Sequence, residues 1–103
     1  MITLSALPET IHKELKTIFG KYPNIKKVIL YGSRAKETNT KRSDIDLVIT
    51  NSQLDRFTFS NIKSEIEESD IPNLVDIQLL EEIDNQDLLD HINRVGKVIY
   101  CKS

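Results

Sequence analysis

Apolar residues recur at helical spacing near both ends of the chain and alternate through its middle. Ile11, Leu15, Ile18 and Phe19 fall at i, i+4, i+7 and i+8, which predicts a helix over Pro8–Phe19 with one buried stripe. Pro8 suits the first helical position, Gly20 is placed to stop the helix, and Pro23 follows. Lys27–Tyr31 reads as a strand that ends at Gly32. Asp44–Ile49 is the clearest strand: Ile45, Leu47 and Ile49 form one apolar face, while the other begins with two aspartates. Phe57–Glu68 predicts a second helix, with Phe59, Ile62 and Ile66 on one side. Leu74–Leu80 predicts a third strand after Pro72-Asn73. The last helix runs from Asp84 as N-cap to Val95, with Leu88, Leu89, Ile92 and Val95 inward and Gly96 as its stop; Val98–Tyr100 closes the chain as a short strand. The expectation is an α/β (α+β) fold, a small mixed sheet with helices packed on it, forming a single domain over residues 1–103.

Composition narrows the class. With 39% hydrophobic and 29% charged residues, the 103-residue chain is ordinary for one globular domain. Its longest apolar run, Val28–Tyr31, is far short of a membrane span, and Met1–Pro8 lacks the basic and apolar segments of a signal peptide. A lone Cys101 excludes an internal disulfide, and two His with one Cys cannot build a zinc site alone. A reducing cytoplasm is the expected location, with no membrane partner. The net charge of −2 hides an asymmetry, because the first half is basic and residues 62–103 are acidic. The basic half suits phosphate contact, or is simply solvated surface. It lacks the density of a nucleic-acid-binding arm, so direct nucleic-acid binding is not expected.

Three features carry candidate chemistry. Gly32-Ser33 stands at a strand exit, where the glycine lets backbone approach a phosphate and the hydroxyl and successive N–H groups donate to it. Arg34 and Lys36 follow as phosphate contacts or solvated surface. Asp44 and Asp46 lie on one strand face about 7 Å apart, and their mutual repulsion is relieved by a hard divalent cation. Asp76 sits inside the otherwise apolar third strand, with Gln78 on the same face. If the first two strands are antiparallel, Ser33 meets the start of the second. If the third runs parallel to the second, with residues 51–73 as crossover, Asp76 lies beside the other two acids. That layout gathers a phosphate cradle and three carboxylates at one rim, as two-metal phosphoryl chemistry requires.

The stretch Ile29–Lys36, with Gly32-Ser33, then ten residues and Asp44-Ile-Asp46, resembles the signature of minimal nucleotidyltransferases in the polymerase-beta-like superfamily. The likeness extends to Asp76 and to the closing helix and strand. One departure is Glu37, where family members often have Gly shortly after the basic residue. The resemblance implies that Asp44, Asp46 and Asp76 hold Mg²⁺, two ions in all, that Asp76 helps activate the attacking hydroxyl, and that Gly32 and Ser33 hold the triphosphate. It implies transfer of a nucleoside monophosphate, AMP from ATP, to a hydroxyl of a partner protein. Members this short are similar to antitoxins whose partner is a small all-helical (HEPN) ribonuclease toxin. Two rival readings are a small-molecule nucleotidyltransferase of the aminoglycoside type and a catalytically idle protein that blocks its partner. Tyr31 and Tyr100 are read as sheet packing, Cys101 as a small apolar residue at a strand end, and His12 and His91 receive no role.

Overall fold

The computed structural model describes residues 7–31, 44–50 and 54–102. The elements run α1 (Glu9–Gly20), β1 (Lys27–Tyr31), β2 (Ile45–Thr50), α2 (Arg56–Glu68), β3 (Val75–Leu79), a 3₁₀ turn (Leu80–Glu82), α3 (Gln86–Val95) and β4 (Lys97–Cys101). The strands form one mixed sheet in the order β3-β2-β1-β4. β1 is antiparallel to both β2 and β4, and β3 joins β2 in parallel through the α2 crossover.

Strand alternation divides the sheet into two unlike faces. Val28 and Leu30, Ile45, Leu47 and Ile49, and Ile77 and Leu79 point to the face covered by α1 and α2, where Leu15, Phe19 and Ile62 complete the main core. The reverse face carries Ile29, Tyr31 and Val48, and α3 covers part of it with Ile92 and Leu88. β2 is therefore buried on both sides, as a central strand with a parallel neighbour should be.

Polar ties fasten the helices to this frame. The imidazole of His12 lies 2.7 Å from the Ile99 carbonyl, which can only accept, so Nε2 donates and ties α1 to β4. At the other end of α1, Lys21 is paired with Glu65 of α2 at 2.8 Å, and the Tyr22 hydroxyl donates to the same carboxylate.

Several boundaries differ from expectation. Pro8 is the N-cap of α1, not its first helical residue. α2 begins at Arg56 because the Asp55 carboxylate accepts from the Thr58 N–H at 2.7 Å. Asn85, not Asp84, caps α3: its side chain accepts from the Leu88 N–H at 3.1 Å. Leu74 stands outside β3, 76% exposed, and Leu80 turns into the 3₁₀ segment. β4 extends beyond Val98–Tyr100 at both ends. Gly96 does stop α3, but not through a left-handed turn, since its backbone is extended (φ −63°, ψ 143°). A Cβ there would collide with the Ile92 carbonyl and lie 2.6 Å from Ile29 Cγ2, so glycine permits the close approach of α3 to β1.

Candidate active site

The parallel junction of β2 and β3 sets the site. Register pairs Tyr31 with Asp46 across the β1–β2 ladder and Asp46 with Asp76 across the β2–β3 ladder. Three side chains thus stand in one row on the reverse face, near the rim where β1 ends and β2 and β3 begin. Paired strands lie about 4.8 Å apart, so the two carboxylates are immediate neighbours. Asp44 directly precedes β2 and is exposed. The next row inward is Ile29, Val48 and Gln78, which separates the acids from the middle of the sheet.

Electrostatics records this crowding. Partial burial pushes the Asp46 carboxyl above the ordinary aspartate range; the charges of Asp76 and then Asp44 push it further, while His91 of α3 pulls it back. The Tyr31 phenol is raised for the same reasons, burial first, then Asp46 and Asp76, against a lowering by its hydrogen bond with Gln78. In that bond Gln78 Nε2 donates to the Tyr31 hydroxyl at 3.0 Å, reaching across β2. The His91 ring meets the Tyr31 ring edge-on, with centroids 6.3 Å apart.

Among the described residues no group of three or more Asp, Glu, His or Cys side chains is closed around a point where an ion could sit. The donor set nevertheless has the chemistry of a hard-cation site. Two carboxylates are paired across strands, a third acid adds charge beside them, and burial, then the two acidic neighbours, favours the protonated form of the inner one. A divalent ion would remove that penalty. The structure therefore brings Asp46 and Asp76 together and sets Asp44 close enough to act on Asp46. Gly32, Ser33, Arg34, Lys36 and Glu37 lie outside the described residues.

Three neighbours escaped the sequence reading. Tyr31 was expected in sheet packing; it is indeed buried in the sheet, but its ring and hydroxyl border the acids. Gln78 was noted only as sharing a face with Asp76, and His91 received no role. For Tyr31 the signal was present, because alternation from Val28 and Leu30 assigns it to the opposite face. For His91 the helical pattern carries none.

Residues 13–103 match the polymerase beta nucleotidyltransferase family, and the chain belongs to it. No curated protein sequence is similar enough to this chain to count as a match. Among solved structures, its fold is similar to that of a toxin–antitoxin complex with AMP-PNP: TM-score 0.71, 19% identity, covering 89% of this chain and 74% of that one. It is also similar to the complex of a tri-AMPylated HEPN toxin with an MNT antitoxin from Shewanella oneidensis, with TM-score 0.66 and 17% identity over 91% of this chain and 72% of that one. A third similar structure is the toxin–antitoxin MntA-HepT, with TM-score 0.67 and 16% identity over 92% and 74% of the two chains. No helix among the described residues is long and apolar enough to cross a membrane.

Proposed function

We propose that this protein is a metal-dependent nucleotidyltransferase that moves AMP from ATP to a hydroxyl of a partner protein. The partner is an all-helical HEPN ribonuclease toxin, and the protein is its antitoxin in the cytoplasm. The observation that carries the reading is the in-register pairing of Asp46 with Asp76 beside Asp44. Family membership supports the reaction type, and the neighbours that hold AMP-PNP or an AMPylated toxin support the nucleotide and the acceptor.

In this reading Asp44, Asp46 and Asp76 hold Mg²⁺, while Gly32 and Ser33 receive the triphosphate. The bound ions supply positive charge where the phosphoryl oxygens gain negative charge. The acceptor oxygen bonds to the α-phosphorus, the bond from that phosphorus to the bridging oxygen breaks, and pyrophosphate leaves. Asp76 is exposed on an edge strand, so an incoming hydroxyl reaches it from the open side. Its carboxylate takes the hydroxyl proton and passes it to water. Asp46 is half-buried, and its cross-strand partner Tyr31 is buried.

The test is incubation with ATP, Mg²⁺ and a HEPN toxin as partner, followed by mass measurement of both chains. A gain of one or more adenylyl units on the partner, lost with Asp46→Asn, is expected. Binding without any mass change on the partner would leave a steric blocker and overturn the transferase reading.

A further inference from the structure

Tyr31 is more than filling for the sheet. Its ring lies among Val48 and Ile92, and its hydroxyl reaches from β1 across β2 to Gln78 on β3. Gln78 is two residues beyond Asp76 on the same strand face, and Tyr31 is the cross-strand partner of Asp46. The Tyr31–Gln78 bond is therefore a strut between the two strands that flank β2, anchored one row inward from the acids. Having accepted from Gln78, the phenol still has its own proton to donate, and Asp46 and Asp76 stand in the same row of the sheet as Tyr31. The His91 ring of α3 meets the Tyr31 ring edge-on.

We propose that Tyr31 is a positioning residue for the acidic pair: with its hydroxyl anchored by Gln78, it walls the inner side of Asp46 and Asp76 and turns both carboxylates toward the rim. The inference rests on the reading of those acids as cation ligands. Groups that orient ligands without touching the ion commonly change metal affinity about 10- to 100-fold when removed. Gln78 belongs to the same device, since a phenol without its anchor has no fixed direction.

The experiment titrates Mn²⁺ into the wild-type protein, Tyr31→Phe, Gln78→Met and the double variant, following free Mn²⁺ by electron paramagnetic resonance. Tyr31→Phe keeps the ring and its packing, and thermal melting of each variant monitors the fold. Each single variant should weaken Mn²⁺ binding about tenfold. The double variant should be no weaker than the singles, because either change removes the same strut. In transfer assays the lost rate should return as Mn²⁺ is raised, a rescue that a smaller folded fraction does not produce. Wild type that binds Mn²⁺, with Tyr31→Phe binding it equally well, would overturn the positioning role and leave the acids' role intact. Effects of the two single changes that add would overturn the strut. Wild type that does not bind Mn²⁺ at all would overturn both the cation reading and this inference.

Discussion

Asp46 carries its charge at a disadvantage. In the folded chain burial and two acidic neighbours favour its protonated form, so at neutral pH ionised Asp46 lowers stability. Asp46→Asn should therefore melt at higher temperature than wild type in metal-free buffer while losing transfer. Mg²⁺ should raise the melting temperature of wild type and narrow that gap. Calorimetric scans with and without Mg²⁺ check both statements; a variant that melts lower in both buffers would show the acid is structurally needed. Gly96 is the opposite case, a residue whose value is what it lacks. Gly96→Ala forces either α3 or Ile29 aside, because the obstructing atoms are a backbone carbonyl and a β1 side chain. The expected loss is about 1–3 kcal/mol in denaturant unfolding, a typical overpacking cost. Stability equal to wild type would mean α3 moves freely against the sheet.

At the scale of elements, the end of α1 is tied to α2 by a titratable cluster with a readable pH signature. Tyr22 is pushed up to about 12, first by its hydrogen bond to Glu65, then by burial and the Glu65 charge. Protonated Tyr22 is thus favoured in the fold, and its contribution is complete below the usual value of 10.0 and lost as pH rises through about 12. Glu65 is lowered by its hydrogen bonds with Lys21 and then Tyr22, so its contribution is present above the usual 4.5 and lost as pH falls through the lowered value. The stability difference between wild type and Tyr22→Phe should be constant at neutral pH and vanish across pH 10 to 12. Urea midpoints across that range measure it; a difference that persists beyond pH 12 would place the effect in packing alone.

Elements were legible in the sequence where one period decided them. The alternation of Ile45, Leu47 and Ile49 sets which face of β2 is core, and therefore that Asp46 is not in it. The length of the crossover permits a parallel β3, and with that pairing Asp76 stands beside Asp46. What stayed hidden depends on distances between elements. Asp84 and Asn85 are equally good caps by type, and only the path of the chain decides which reaches the Leu88 N–H. The Tyr31–Gln78 bond joins strands that are two apart in the sheet, a relation no local pattern encodes. Phe57 falls within a helix but is 74% exposed, because the stripe facing the core runs through Ile62 and Ile66.

For the whole molecule, charge has a geography. Glu67, Glu68 and Asp70 are exposed around the end of α2, and Glu81 and Glu82 are exposed on the 3₁₀ turn after β3. An RNA-cleaving toxin, the partner proposed above, would need a cationic face for phosphates, and these acids would suit it. Substituting Lys at Glu67, Glu68, Glu81 and Glu82 should slow association with the partner and flatten its dependence on salt. Stopped-flow association at several ionic strengths measures this; an unchanged rate and salt slope would assign the acids to solvated surface.

The place of the two acids in the strand order also makes their partnership uneven in time. Asp46 rides on β2, hydrogen-bonded on both sides and buried on both faces, whose amides open only with the whole domain. Asp76 rides on β3, an edge strand with β2 as its single strand neighbour among the described residues. Amide exchange should therefore be slowest at Leu47–Ile49 and faster at Val75–Leu79. On heating, the pair would separate by fraying of β3 while the rest of the sheet still holds. The capacity to bind a cation would then disappear before the fold does, leaving a folded but inert protein in the interval, and a bound ion would clamp the edge of the sheet against that local opening.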